Sequence, residues 1–342
     1  MTREGAPSSF LIVLSGALGD ISRGFCILPP LRLLFPQAKL SWLAEEKWAP
    51  LVRAHPLVDE VYTYTKNRGV FVFLDVWRTL QGHSFDVTLD LQRHTKSGVF
   101  SLLSHAPTRV GFSRKNAKEL NYWFNTDHIV DVSDSDSKVL HYLEFVRFFG
   151  YDEKQVDFGI SRDAVESFVP TQFPRSSKKT VSIVLGSSWP SKDWTAEGYA
   201  ILVKRLVQEE YSVLLVGDQG QVSLAESLQE STDFGGNLTN FVGKTSLNEL
   251  VAVLANSHIA VGPDSGPGHL CSLFRVPYVA LFGPTDPKRV APFGSEHLVL
   301  QSELPCVPCK RRVCPGLNRI CMRLLSPESV IEKVHAELNS RV

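Results

Sequence analysis

Apolar residues fall along this chain in two alternating rhythms. Short unbroken runs such as FLIVL (10–14), and mostly apolar stretches such as FDVTLDLQ (85–92), predict strands buried in a sheet. Between them, apolar residues recur every three or four positions, which predicts amphipathic helices. From the N-terminus the order reads strand 10–14, helix from 21, strand 39–45, helix 47–56, strand 58–64, helix 72–83, strand 85–92, helix 94–106 and a short strand at 109–113. Pro29 and Pro30 must bend or restart the first helix, because proline lacks the N–H that the ladder needs. The helix VLHYLEFVRFFGY (139–151) ends at a glycine. After it, residues 161–180 mix charge, Ser and Pro with little period, as a connection between domains does.

A second alternation then begins. Strands are expected at 180–184, 211–218, 237–243, 258–264 and 277–283, with helices at 195–210, 221–231, 246–257, 268–274 and 327–340. Ser246 followed by Glu249 matches a capping box. Strand and helix taking turns in this way predicts parallel sheets covered on both faces. The expected fold class is α/β, with two doubly wound, Rossmann-like domains facing across a cleft. The expected division is an N-terminal domain over 1–165, a linker over 166–178, a C-terminal domain over 179–325 and a terminal helix over 326–342.

Composition narrows the function. The 342 residues exceed the size of one ordinary core, and 43% apolar with 21% charged residues is usual for a globular protein. Lys plus Arg equals Asp plus Glu at 36 each, so there is no basic excess of the kind that draws a protein to nucleic acid. No apolar run is long enough to span a membrane, and the N-terminal run reads as a first strand rather than a signal peptide. A cytoplasmic protein is expected. Four of the six cysteines, Cys306, Cys309, Cys314 and Cys321, lie close together. Their spacing fits no common zinc ribbon, so structural zinc, a pair of disulfides and reduced packing thiols all remain open, each a structural role.

Three turns carry the candidate chemistry, each after a strand, where open α/β sheets bind ligands. In LSGALGD (14–20), Gly16 and Gly19 permit a tight turn and Asp20 opens a helix. Asp20 is either a helix cap or a carboxylate that takes a proton from a hydroxyl. The glycine spacing is not that of a dinucleotide fingerprint. In LGSSWPSKDW (185–194), Ser187 and Ser188 offer hydroxyls to phosphate oxygens and Lys192 a compact positive charge, although Lys192 alone reads as a solvated lysine. In GPDSGPGHL (262–270), Asp264 and Ser265 lie in the turn before a helix that begins near Gly268, with His269 in its first turn, and the unpaired N–H groups of such a start suit an anion. LFGPTDP (281–287) repeats that design at a neighbouring strand. No HExxH, P-loop or GxSxG occurs. The residues support a two-domain enzyme with a phosphate-bearing ligand on the C-terminal half and a carboxylate on the other.

Taken in order, these segments resemble glycosyltransferase family 9, the ADP-heptose:lipopolysaccharide heptosyltransferases. LGD with Asp20, DLQRHTKS (90–97), SWPSKDW, GPDSGPGHL and LFGPTDP all resemble motifs of that family, and the cysteine cluster is similar to one in its second-heptose branch. The resemblance implies a GT-B fold and an inverting transfer that needs no metal or cofactor. It implies Asp20 as general base. The donor's diphosphate would be held by Ser187, Ser188 and Lys192, with backbone N–H groups from Gly266 through Gly268 to His269. Asp264 and Ser265 would lie on the donor side, Asp264 meeting heptose hydroxyls. Lys96 would meet phosphates or carboxylates of the acceptor core. Arg23 stands where many members carry His, and Cys26 where a proline is expected, both on the acceptor side. The implied partners are an ADP-sugar donor and a lipopolysaccharide core acceptor, with no nucleic acid; peripheral contact with the inner membrane is compatible with that acceptor. The alternatives are another GT-B nucleotide-sugar transferase or epimerase, or an inactive nucleotide-sugar binding protein.

Overall fold

A computed structural model of the chain describes residues 5–231 and 236–340. The chain divides into two compact units, Met1–Ile160 and Ser161–Val342.

The first unit holds six strands: β1 (Ser9–Val13), β2 (Lys39–Glu45), β3 (Glu60–Tyr64), β4 (Val87–Asp90), β5 (Thr108–Gly111) and β6 (Asp127–His128). They form one parallel sheet in the order β3-β2-β1-β4-β5-β6. Phe10 to Val13 of β1 are fully buried between β2 and β4, which explains why this strand reads as an unbroken apolar run. The expected first helix is in fact two. Leu18–Gly24 is α-helical, Phe25–Ile27 tightens to a 3₁₀ turn, and Leu28–Leu34 resumes with the prolines in its first turn, where no N–H is required. 

The second unit repeats the plan. Its strands are β7 (Thr180–Val184), β8 (Ser212–Val216), β9 (Leu238–Asn240), β10 (Ile259–Pro263), β11 (Tyr278–Phe282) and β12 (Val299–Gln301), all parallel, in the order β12-β11-β10-β7-β8-β9. β7 takes the place of β1, so both sheets have the doubly wound order that reverses beside the first strand. Residues 162–168, which straddle the start of the expected linker, form a 3₁₀ segment packed on helix Leu247–Ala255. The capping box forms as expected: Ser246 N–H donates to Glu249 Oε2 at 2.7 Å and Glu249 N–H to Ser246 Oγ at 3.3 Å. Helix Pro327–Ser340 is no appendage, since Val330, Val334 and Leu338 join the core of this unit; residues 341 and 342 lie outside the described residues.

Close packing behind the β10 turn depends on missing side chains. A Cβ on Gly262 would lie 2.6 Å from Tyr278 Oη, and one on Gly268 2.9 Å from Tyr278 Cε1. The Tyr278 hydroxyl donates to the Pro263 carbonyl at 2.9 Å, so one buried ring fixes both the end of β10 and the helix after it.

Candidate functional site

In the first unit the sheet order reverses between β1 and β4, and both candidate segments lie just beyond these two strands. Gln92 ties them together. Its N–H donates to Asp90 Oδ1 (3.1 Å), its Oε1 accepts from Ser15 Oγ (2.8 Å), and its Nε2 donates to the Gly16 carbonyl (3.3 Å). Asp90 is fully buried, and burial raises its pKa to about 6 against hydrogen bonds from Asn121, Ser97, Gln92 and Asn125 that pull the other way. The turn before Asp20 is thus anchored to the end of β4.

Asp20 lies in the first turn of helix Leu18–Gly24. Its Oδ1 accepts from Arg23 Nη2 and from Lys138 Nζ, each at 2.6 Å. Burial pushes the carboxyl pKa up, but the Lys138 and Arg23 charges outweigh it and hold the group well below the usual carboxylate range. Arg23, expected on the acceptor side, is therefore first of all a partner of Asp20. Lys138 was not legible as a site residue. It opens helix Lys138–Arg147, capped by Ser137, 118 positions from Asp20, and no local spacing signals such a pair. Lys96 takes a different course: its ammonium lies 4.6 Å from the centre of the Tyr64 ring and 5.4 Å from that of Phe100. Desolvation and the nearby Lys66 charge lower its pKa, and Glu45 opposes them. Cys26 is buried, its thiol 3.8 Å from the Val139 carbonyl.

In the second unit the order reverses between β7 and β10, and the structure draws three turns together there. Lys192 is only 9% exposed, so the reading of it as a solvated lysine is overturned. Its Nζ donates to Asp264 Oδ2 at 2.7 Å and lies 4.5 Å from the centre of the Trp189 ring. Thr285 Oγ1, from the β11 turn, donates to the same Asp264 oxygen at 2.7 Å. Asp264, expected to meet sugar hydroxyls, is thus primarily the partner that orients Lys192. The Ser187 hydroxyl donates to the Trp189 carbonyl (2.9 Å) and lies 3.2 Å from Asp193 Oδ1, while Ser188 is exposed. Ser265 stands at the N-cap position of helix Gly266–Leu273 without a side-chain capping bond, so Gly266 and Gly268 lie in the first turn, with His269 buried just behind. The N–H groups of that turn have no intrahelical acceptors, and they favour an anion. 

The cysteine-rich segment braces this site. Ser191 is held by the carbonyls of Arg311 (2.7 Å) and Arg312 (3.3 Å), Arg319 Nη1 donates to those of Pro190 and Asp193 (3.3 Å each), and Lys310 N–H donates to Pro284 O (2.6 Å). All six cysteines are free thiols, and no group of three or more His, Cys, Asp or Glu among the described residues is arranged to hold a metal. Asp218 is taken up in a capping box with Gln221.

Known proteins resemble this chain in sequence and in fold. The model of glycosyltransferase family 9 (heptosyltransferase) matches residues 73–319. The lipopolysaccharide core heptosyltransferase OpsX of Haemophilus influenzae is 26% identical over 294 residues, 85% of this chain and 83% of its own. The structure of E. coli ADP-heptose lps heptosyltransferase II superposes with a TM-score of 0.78 at 22% identity, covering 97% of this chain and 99% of its own. E. coli heptosyltransferase WaaC with ADP-2-deoxy-2-fluoro heptose gives 0.78 at 22% identity, covering 96% and 99%. The shared fold is GT-B, built from two doubly wound units.

Proposed function

The chain belongs to glycosyltransferase family 9, the heptosyltransferases, and from that premise we propose that it moves heptose from ADP-heptose to the inner core of lipopolysaccharide with inversion at the anomeric carbon. The observation that carries this reading is the Lys192–Asp264–Thr285 cluster beside an open helix N-terminus at the switch point of the second sheet. An anionic diphosphate suits that place, and a related protein has been solved with ADP-2-deoxy-2-fluoro heptose.

In the proposed reaction the second unit is the donor domain. Backbone N–H groups of Gly266 to Gly268 and the Lys192 ammonium take the diphosphate oxygens, joined by the exposed Ser188 hydroxyl. The first unit is the acceptor domain. Asp20 accepts the proton of an acceptor hydroxyl as that oxygen attacks the anomeric carbon. The bond from that carbon to the diphosphate oxygen breaks, and ADP leaves with the electron pair. Charge accumulates on the leaving diphosphate, where the helix dipole and Lys192 are already oriented to stabilise it. Lys96 serves anionic groups of the core. Such a reaction belongs in the cytoplasm, where nucleotide sugars are made and free thiols persist.

The test is binding of ADP, UDP and GDP by calorimetry, followed by transfer assays with ADP-heptose on truncated cores, read by mass. ADP preference and a heptose increment on one core support the reading. A clear preference for UDP overturns it in favour of another nucleotide-sugar enzyme.

A further inference from the structure

The proposed base carries two cations on one oxygen, and this has a chemical consequence. Arg23 and Lys138 both lie on the same oxygen, Oδ1, each at 2.6 Å, and their two positive charges lower the basicity of the whole carboxylate. Strong pairing holds it ionised but makes it a poor proton acceptor, since base strength falls with pKa. The two cations are not equivalent. Arg23 lies one helical turn from Asp20 and its side chain is 8% exposed, so it is fixed in place. Lys138 comes from a separate helix, at its first position, and its side chain is 27% exposed on a flexible four-carbon stem. The trio carries net charge +1, from two cations and one carboxylate.

Resting on the reading of Asp20 as base, we propose that Lys138 is a specificity-determining residue: an anionic group of the acceptor, carboxylate or phosphate, draws its ammonium away from Asp20 and so frees the base only when a correctly charged acceptor is bound. Lys138 then exchanges one carboxylate or phosphate partner for another, and the acceptor's anion is satisfied at the same moment. Asp20, left with Arg23 alone, becomes the stronger base towards the acceptor O–H. A neutral acceptor leaves the resting pair intact and reacts slowly even when bound. Discrimination of this kind appears in kcat, because the anion contributes to the reacting state and not only to binding.

The experiment compares the wild-type chain with Lys138→Met and Lys138→Arg on a preferred core acceptor in three forms: native, with its carboxylates methyl-esterified, and with its phosphates removed. For the wild type, kcat should fall about tenfold or more on whichever neutralised form carries the group that Lys138 takes, a part of the usual general-base contribution. Which form loses rate identifies carboxylate or phosphate as the source. Lys138→Met should raise kcat on that neutralised form above the wild-type value and bring the ratio between native and neutralised acceptors towards one. Lys138→Arg should restore the ratio. Equal wild-type kcat on all three forms overturns the proposal without recourse to any variant. A Lys138→Met chain that keeps the wild-type melting temperature yet loses kcat by the same factor on every form also overturns it, reducing Lys138 to a structural brace. Absence of heptose transfer to any acceptor overturns the heptosyltransferase reading itself, and this inference with it.

Discussion

Lys192 and Asp264 form a buried pair with side chains 11% and 7% exposed, and such pairs behave asymmetrically. Removing one partner leaves a buried charge uncompensated, which costs about 3–5 kcal/mol, whereas replacing both costs far less. Lys192→Ala should therefore lose ADP binding and also lower the melting temperature of the protein. The double variant Lys192→Met with Asp264→Asn should recover most of the stability and none of the binding. Calorimetric melting and ADP titration of the same samples separate the two effects; recovered binding in the double variant would contradict the role given to Lys192. Asp90 supplies a test by pH. Its folded pKa, about 6, lies above the ordinary carboxylate value of 3.8, so the folded state favours the neutral acid. The cost of ionising it is absent below the unfolded pKa and complete above the folded one. Stability from this group should fall as pH rises from about 4 to about 6 and be flat beyond. Denaturant midpoints of wild type and Asp90→Asn across that range should diverge in that window and run parallel above it. At this scale the sequence signals types well and partners poorly. Asp20, Asp264 and the LFGPTDP turn that carries Thr285 stood out, but Lys138 became a site residue through a contact 118 positions away, which no local period encodes.

Helices and strands were more legible, because their periods are local. The two prolines restarted a helix as their chemistry requires, and Ser246 with Glu249 capped another. Short elements escaped, among them the edge strands Asp127–His128, of two residues, and Val299–Gln301, of three, too few for any alternation to register. The segment at 302–319 has little regular structure, yet its carbonyls and the Arg319 guanidinium hold the Ser187–Asp193 loop. Arg319→Ala should therefore act on the donor side. The expected result is an increase of about five- to twentyfold in KM for ADP-heptose, the scale of one or two lost hydrogen bonds from a charged group, with acceptor KM unchanged. Steady-state kinetics with each substrate varied in turn checks this, and an effect on acceptor KM alone would contradict it.

For the whole molecule, the doubling of one plan is the informative fact. Two sheets share one strand order, each reverses beside its first strand, and the candidate residues of each unit lie beyond the strands at that reversal. Alternation of strand and helix predicted this class because it follows from local periods summed over a long chain. The roles of the units, base in one and donor in the other, came from motif resemblance, because a turn rich in glycine and carboxylate does not by itself name its ligand. The most direct test is heptose transfer from ADP-heptose to a truncated lipopolysaccharide core, followed by mass for the wild type and for Asp20→Ala, with ADP binding measured alongside. The account predicts a heptose increment with the wild type, none above background with Asp20→Ala, and ADP affinity unchanged within about twofold, since the donor contacts lie in the other unit. Transfer that survives the substitution with little loss would contradict it.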